Sequence, residues 1–291
     1  MNLIYVESPF QLIQALEIAG APEKYLLIIR LNNIERNNIQ LKEMVSLFAL
    51  SNVIYMNARY KPVLLFYAIP FLLIAAVAKR CYVGDENSIV FKLLKRLIQH
   101  RKVWLLDDGV ATLNSKENFG FKRLTIFRTV KGIHNDLKKC RDLIQSKSIY
   151  REVNIIVGSK LVEEGICTKE VYYSILETMA EDIGLQNTKI IYVPHRGESE
   201  SNLMEILERF NFELVDNSLP IELIALEFDV QPIRVVSVLS TALYSMSLIY
   251  ENAEFRVYPL NFDSIDSRRE GIESLYRDMR KNTTFFDYMG S

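Results

Sequence analysis

The most constraining feature of this chain is a regular alternation between short, almost continuously apolar runs and longer amphipathic stretches. Apolar runs of this kind are typical of strands that are buried on both faces of a parallel sheet. The longer stretches have the apolar spacing of helices that cover such a sheet. A strand–helix–strand series of this length predicts a doubly wound α/β fold.

The first half of the chain contains five predicted strands: Leu3–Val6, Tyr25–Leu31, Val53–Met56, Cys81–Val83 and Val103–Leu106. The helices predicted between them are Pro9–Ala19, Ile34–Leu50, Pro62–Ala78 and Asn87–His100. A polar loop at Asn114–Arg123 and a helix at Ile133–Ser146 follow.

The strand–helix rhythm then resumes. The predicted strands are Val153–Val157, Lys189–Val193, Phe212–Val215, Arg234–Val238 and Arg256–Pro259. The predicted helices are Glu170–Ile183, Glu200–Phe210, Thr241–Tyr250 and Ile265–Arg280. A chain of 291 residues suits two domains. We therefore expect two Rossmann-like domains, residues 1–150 and 151–291, with the boundary near residues 147–152.

Composition excludes several classes of protein. Apolar residues make up 49% of the chain and charged residues 24%, which argues against disorder, collagen-like repeats and coiled coils. The net charge of -1 argues against a nucleic-acid partner but leaves a small anionic ligand open. The cysteines Cys81, Cys140 and Cys167 are too few and too dispersed for a disulfide framework or a four-ligand zinc site, so we expect a reducing compartment.

The segment Pro62–Ala78 has no charged residue, and Lys79 and Arg80 follow it. Its 17 residues are at the short edge for a membrane span, and Pro70 would kink a helix there. We interpret it mainly as a core helix packed on the sheet. The alternative is a helix that dips into a membrane surface. The N-terminus has no signal-peptide pattern, which favours a cytoplasmic protein.

In open α/β sheets, ligands bind beyond the carboxyl ends of the strands, so polar residues at those ends are the candidates. The first candidate is Asp107-Asp108-Gly109, directly after a predicted strand. A carboxylate in this place can act as a general base. Asp-Gly is also common turn chemistry, and paired acids can bind Mg²⁺, so these alternatives stay open.

The second candidate is Pro194-His195-Arg196-Gly197-Glu198, between a predicted strand and a predicted helix. His195 could transfer a proton near neutral pH. Arg196 adds a positive charge, and Glu198 could bind ribose hydroxyls. The alternative is a surface loop with a solvated histidine.

The third candidate follows the Arg234–Val238 strand, where Ser240 and Thr241 fall at a predicted helix start and Ser237 lies within the strand. Hydroxyls and free N–H groups at a helix start bind phosphate, but the same residues also serve as simple caps. A fourth place supports these three: Ser8 reads as a helix cap, and Gln11 follows at the edge of the first strand.

Four short motifs stand in order along the chain: Ser-Pro-Phe-Gln at 8–11, Asp-Asp-Gly at 107–109, Tyr-x-Pro-His-x-x-Glu at 192–198 and Ser-Thr-Ala-Leu at 240–243. This ordered set resembles the bacterial sialyltransferases of glycosyltransferase family 52, the lipooligosaccharide sialyltransferase group. It is similar, more distantly, to the bacterial polysialyltransferases.

The resemblance implies a GT-B fold, with two Rossmann-like domains facing a central cleft. It implies inverting, metal-independent transfer from CMP-sialic acid to a galactose-containing glycan of lipooligosaccharide or capsule, with no cofactor. In that mechanism Asp107 or Asp108 is the base, and His195 stabilises the departing CMP.

The remaining motif residues would contact substrate under the same resemblance. They are Ser8, Gln11, Gly109, Arg196, Glu198, Ser237, Ser240 and Thr241. The first domain would lie on the acceptor side and the second would bind CMP. Arg196 stands where the family has Pro, so a related CMP-nonulosonate remains an alternative donor. The chain contains no Asp-x-Asp, the pattern that would hold a metal-bound nucleotide sugar; Asp263 and Asp266 are one residue too far apart.

Expected partners are therefore a CMP-sugar donor and a glycan acceptor. Homodimerisation and peripheral contact with the inner membrane stay open. From another class of protein, a non-catalytic nucleotide- or glycan-binding module would use the same motifs only as caps.

Overall fold

The computed structural model describes residues 1–18, 24–57, 61–113, 120–147, 151–184, 189–261, 269–281 and 287–288. Contacts divide the chain into two compact units. The first is Met1–Asp142 with Ser218–Pro220, and the second is Leu143–Asn217 with Ile221–Ser291. The boundary expected near residues 147–152 falls partly on 148–150, which lie outside the described residues.

In its described part, the first unit contains a parallel sheet of seven strands in the order β3-β2-β1-β4-β5-β6-β7. These strands are β1 Asn2–Val6, β2 Tyr25–Leu31, β3 Val53–Asn57, β4 Cys81–Val83, β5 Val103–Leu105, β6 Lys122–Thr125 and β7 Ile133–His134. The helices in this stretch are α1 Pro9–Ile18, α2 Glu35–Leu47, α3 Lys61–Val77, α4 Ile89–Leu97, α5 Val110–Leu113 and α6 Lys138–Gln145, with a 3₁₀ turn at His100–Lys102.

The described part of the second unit contains a parallel sheet of six strands in the order β10-β9-β8-β11-β12-β13. These strands are β8 Arg151–Val157, β9 Ile190–Val193, β10 Glu213–Leu214, β11 Val230–Ser237, β12 Glu254–Val257 and β13 Asp287–Tyr288. The helices are α7 Lys169–Gly184, α8 Glu200–Arg209, α9 Ile224–Phe228, α10 Ala242–Ile249 and α11 Arg269–Lys281, with a 3₁₀ turn at Ile221–Leu223.

Both sheets reverse their strand order beside their first strand, between β1 and β4 in one unit and between β8 and β11 in the other. Such a reversal leaves a crevice outside the carboxyl ends of the two strands, where α/β proteins bind ligands. The prediction of two doubly wound, parallel Rossmann-like units is confirmed.

Two predicted elements are wrong around residues 120–137. The predicted loop Asn114–Arg123 runs into strand β6 at its end; its residues 114–119 lie outside the described residues. The predicted helix Ile133–Ser146 begins instead as strand β7, because the Asn135 N–H donates to Thr125 O at 2.8 Å and extends the sheet. Leu137 then adopts a left-handed φ of 49° while its N–H donates to Asn135 Oδ1. That local turn delays the helix until Lys138. The helix predicted at Ile265–Arg280 is described from Arg269 onward.

Within residues 69–77, the part of helix α3 whose side chains the structure describes, one face packs on the first sheet. Phe71, Ala75 and Ala78 are buried in the core of the unit, and the Phe71 ring meets Tyr5 edge to face with centroids 5.5 Å apart. The opposite face leaves apolar side chains exposed. The core-helix interpretation of Pro62–Ala78 therefore holds for one face of residues 69–78; the side chains before residue 69 lie outside the described part of the chain. In the described part of the chain, no helix combines the length and the apolar character needed to cross a membrane.

Candidate active-site residues on two strand-end turns

Two amide side chains of α1 hold the turn that follows β5. Gln14 is fully buried and bridges the main chain of Asp107: its Nε2 donates to the carbonyl at 3.0 Å, and its Oε1 accepts the N–H at 2.9 Å. Gln11 lies on the same face of the helix, three residues earlier. Its Nε2 donates to Asp108 Oδ1 at 2.9 Å, and its Oε1 accepts the Glu7 N–H at 2.7 Å. The Asp-Asp turn is thus fixed to the first helix.

Gly84, directly after β4, gives Gln11 the room for this contact. A Cβ at position 84 would lie 1.9 Å from Gln11 Cδ, which is closer than non-bonded atoms approach each other. A side chain at position 84 would therefore displace the amide end of Gln11. Residues that follow β1, β4 and β5 therefore meet at the carboxyl edge of the sheet.

Asp107 is completely buried. Its Oδ2 accepts the Ile126 N–H at 2.7 Å, and Arg123 Nη1 lies 4.0 Å from Oδ1. Burial raises the pKa of Asp107 to about 7, although the Ile126 N–H, the Thr125 hydroxyl and the Arg123 charge oppose the rise. Because this carboxyl group has no solvent access, it fits the turn interpretation. Its hydrogen bond with Ile126 joins the end of β5 to the segment after β6.

Asp108 is half-buried and presents its carboxyl group at the edge of the turn. Its N–H donates to Thr112 Oγ1 at 2.7 Å, and its Oδ1 accepts from Gln11. Gly109 follows with φ of 60°, the left-handed region that suits glycine. The structure thus separates the two aspartates by solvent access: Asp107 is fully buried and Asp108 is half-buried. Ser8 caps α1 loosely, its Oγ accepting the Gln11 N–H at 3.4 Å.

Sequence reasoning missed two buried supports of this turn. Gln14 could have been found, because a second amide at i+3 on the apolar face of α1 needs a buried partner. Arg123 gave no such signal, since it fell in a predicted loop. Its guanidinium pairs with Glu86 at 2.6 Å and lies 3.4 Å from Thr112 Oγ1.

In the second unit, His195 lies on the turn after β9 and is half-buried. The Gly197 N–H donates to ring Nδ1 at 3.0 Å. A ring nitrogen that accepts a hydrogen bond carries no proton, so the neutral ring has its proton on Nε2. This tautomer can donate a hydrogen bond to a phosphate oxygen.

Glu198 holds that turn in place. Its Oε2 accepts the His195 N–H at 2.5 Å, and its Oε1 accepts the Tyr192 hydroxyl at 2.5 Å. The Tyr192 and Tyr172 hydroxyls lie 3.0 Å apart, which extends the network inward. Burial raises the pKa of Glu198 to about 7, although the Tyr192 hydroxyl and the His195 N–H oppose the rise. Both carboxylate oxygens thus serve the turn. Gly158, after β8, makes room: a Cβ there would lie 2.3 Å from Glu198 Oε2.

The hydroxyl motif after β11 divides into two parts. Ser237 is fully buried and donates to Val157 O at 2.9 Å, so its hydroxyl joins two strands and is assigned to the sheet rather than to a ligand. Ser240 and Thr241 are half-buried at the start of α10. Ser240 Oγ accepts the Ala242 N–H at 3.2 Å, whereas the Thr241 side chain makes no capping hydrogen bond. Only these two hydroxyls fit the predicted phosphate contact.

Arg196 is exposed beside His195. Arg196 also acts electrostatically on the buried Glu222. Burial raises the pKa of the Glu222 carboxyl, and the Ser245 hydroxyl and the Arg196 charge oppose this rise. Ser245 belongs to α10, the helix that follows Ser240 and Thr241.

Within the described residues, no group of three or more His, Cys, Asp or Glu side chains is arranged to hold a metal ion.

Comparison with known proteins gives a fold but no family. No family model and no curated protein matches the sequence. A Listeria monocytogenes protein assigned as a UDP-N-acetylglucosamine 2-epimerase has a TM-score of 0.57 at 11% identity, over 97% of this chain and 88% of its own. The Methanocaldococcus jannaschii UDP-GlcNAc 2-epimerase has a TM-score of 0.55 at 13% identity, over 100% of this chain and 89% of its own.

The same archaeal enzyme has also been solved with UDP-GlcNAc and UDP, and that structure gives a TM-score of 0.53 at 14% identity over 98% of this chain and 92% of its own. The GT-B fold that the resemblance implies is confirmed. At these identities the likeness defines the fold alone.

Proposed function

We propose that this chain is an inverting, metal-independent glycosyltransferase that moves sialic acid from CMP-sialic acid to a galactose-containing surface glycan. The observation that carries the proposal is the Asp108 carboxylate: half-buried, at a strand end, and held by Gln11. The ordered motifs that resemble family 52 supply the donor and acceptor classes.

Asp108 acts as the general base. It takes the proton of the acceptor hydroxyl as that oxygen attacks the anomeric carbon of the donor. The new glycosidic bond forms as the bond to the CMP phosphate oxygen breaks, and the configuration inverts. Asp107, without solvent access, serves only to hold the turn.

His195 and the start of α10 receive the negative charge that develops on CMP. His195 donates through Nε2–H, while the Ser240 and Thr241 hydroxyls and the positive end of the α10 dipole face phosphate oxygens. Arg196 adds a neighbouring positive charge. These groups can stabilise the leaving group without a metal, since CMP departs readily once the negative charge of its phosphate is neutralised.

The replacement of the family's Pro by Arg196 favours one second candidate: a transferase that uses a related CMP-nonulosonate. A guanidinium beside His195 could contact a donor substituent that sialic acid lacks. The overall reaction and the roles of Asp108 and His195 would be the same.

A donor panel tests the proposal. Purified protein is incubated with CMP-sialic acid, other CMP-nonulosonates, UDP-GlcNAc and GDP sugars, and nucleotide release is measured with and without lactose as acceptor. CMP release that lactose stimulates, with a sialylated product, is expected. Turnover of UDP-GlcNAc to its 2-epimer, or nucleotide binding with no turnover of any donor, would refute sialyl transfer.

A further inference from the structure

The outer face of α3 carries an exposed apolar stripe. Ile69, Leu73 and Val77 are 69%, 67% and 81% exposed, and their spacing of four places them on one side of the helix. Exposed aliphatic side chains are ordinary when they are scattered, but an aligned row on one helix marks an interaction surface. We call these three residues the α3 stripe.

The sequence around the stripe is strongly basic. Residues 61–106 contain eight Lys and Arg and two acids, a net charge of +6, although the whole chain has a net charge of -1. The two acids, Asp85 and Glu86, follow β4, and residues 87–106 contain no acid at all. The rest of the chain therefore carries a net charge of -7. This asymmetry is large for a protein that is neutral overall.

The basic residues lie close to the stripe in the first unit. Lys79 and Arg80 are exposed directly after α3. Lys102 Nζ donates at 3.1 Å to the carbonyl of Ala76, which lies in the last turn of α3. Helix α4, which packs beside α3, exposes Lys95 and Arg96 together with Leu97. We call the exposed residues Lys79, Arg80, Lys95, Arg96 and Arg101 the basic rim.

The stripe and the rim lie away from the catalytic edge of the sheet. Arg80 and Lys102 immediately precede β4 and β5, so they mark the amino ends of these strands, whereas Gly84 and Asp108 follow the carboxyl ends. A partner on the rim would therefore leave the Asp108 turn open.

We propose that the α3 stripe and the basic rim form a docking surface for an anionic phospholipid bilayer. Aliphatic side chains on one helix face enter the interface between headgroups and acyl chains, while lysine and arginine attract the negative headgroups. A protein partner would need a surface that is both apolar and acidic, and a second copy would bring one basic rim against another. The charge therefore favours the membrane, whichever sugar the chain transfers.

Vesicle flotation tests the surface without any use of activity. The wild-type chain is expected to float with phosphatidylcholine vesicles that contain about one third phosphatidylglycerol, and to stay behind with phosphatidylcholine alone. Binding should largely disappear at about 1 M salt, where screening shortens the reach of charges to about 3 Å.

Two pairs of variants separate the apolar and the charged contributions. Leu73→Glu with Val77→Glu should abolish flotation, and Lys95→Gln with Arg96→Gln should weaken it about 30-fold. The matched controls are Met204→Glu, which alters a 56% exposed apolar residue of the second unit, and Lys131→Gln with Lys138→Gln, which removes two exposed charges elsewhere in the first unit. Both controls should bind like wild type.

Unchanged flotation of the stripe variants, or no flotation of the wild type with anionic vesicles, would overturn the proposal. So would a dimer in vesicle-free solution that Leu73→Glu with Val77→Glu dissociates, because the stripe would then belong to a second copy. Circular dichroism melting of each variant establishes that the fold is retained.

Discussion

The two strand-end turns share one plan and differ in what they expose. In each, a carboxyl group whose pKa is raised to about 7 by burial accepts a main-chain N–H: Asp107 from Ile126, and Glu198 from His195. In the first unit the half-buried residue of the turn is another carboxylate, Asp108. In the second unit it is an imidazole, His195.

The two turns also differ in how the half-buried side chain is held. Asp108 is positioned by a side chain of the neighbouring helix, because Gln11 donates to its carboxylate. His195 is positioned by its own turn, through Gly197 N–H to Nδ1 and its main chain to Glu198. The position of the Asp108 carboxylate therefore depends on the tertiary packing of α1, whereas the position of the His195 imidazole depends on its own loop.

The largest expected effect separates the two adjacent aspartates. Asp108→Asn should lower kcat by about 10⁴-fold, near the upper end for a positioned base, and leave donor binding unchanged. Asp107→Asn is the matched control and should keep most of the turnover, because no acceptor reaches a fully buried side chain. Initial rates of sialyl-lactose formation measure both. Loss of turnover in Asp107→Asn alone would reverse the assignment.

His195→Ala should lower turnover by about 10²–10⁴-fold through loss of the Nε2–H donor to the leaving phosphate. Single-turnover rates with saturating CMP-sialic acid report this step directly. A rate close to wild type would remove His195 from the mechanism and leave its turn a surface loop.

The support from α1 is tested by Gln11→Ala and Gly84→Ala. Each should lower kcat by about 10–100-fold without a change in donor KM, since a small displacement of the base is costly. Gly84→Ala does so by pushing Gln11 away. Gly184→Ala is the control, because the nearest atom to its new Cβ lies 3.7 Å away. Full activity of Gly84→Ala would show that Gln11 does not position Asp108.

Buried Asp107 should also shape the pH dependence of stability. Its pKa is raised from 3.8 to about 7, so the folded chain binds a proton there that the unfolded chain has lost. The free energy of unfolding should therefore fall as pH rises between about 4 and 7, by up to about 4 kcal/mol from this group, and then level off. Glu198 adds to the slope in the same direction. Urea unfolding at several pH values should show a shallower fall in Asp107→Asn but not in Asp108→Asn; equal slopes in both would contradict the burial effect.

Chelation should have the smallest effect. Activity is expected to survive EDTA, because His195, Ser240, Thr241 and the α10 dipole can meet the phosphate charge. Complete inhibition that Mg²⁺ or Mn²⁺ reverses would instead indicate that Asp108 is a metal ligand. The two turns would then differ in mechanism, because only the first would bind a metal.

The strand–helix alternation predicted most of the elements and both sheets, because strands buried on two faces must be apolar throughout. It failed at β6, β7 and β13, since short strands such as Ile133–His134 carry no continuous apolar run. The motifs predicted which residues stand at the strand ends. They did not predict Gln14 or Arg123, whose partners lie 93 and 37 residues away in the chain.

The sequence by itself determined the fold class and the residue types at each turn, since these follow from local patterns of burial and turn chemistry. Only the tertiary structure decided between neighbours with the same chemistry. Asp107 is buried and Asp108 is half-buried. Ser237 joins two strands, while Ser240 precedes a helix. Phe71 and Ala75 of α3 lie in the core, while the α3 stripe is exposed. Side-chain access depends on which segments pack over each residue, and those segments are distant in the sequence.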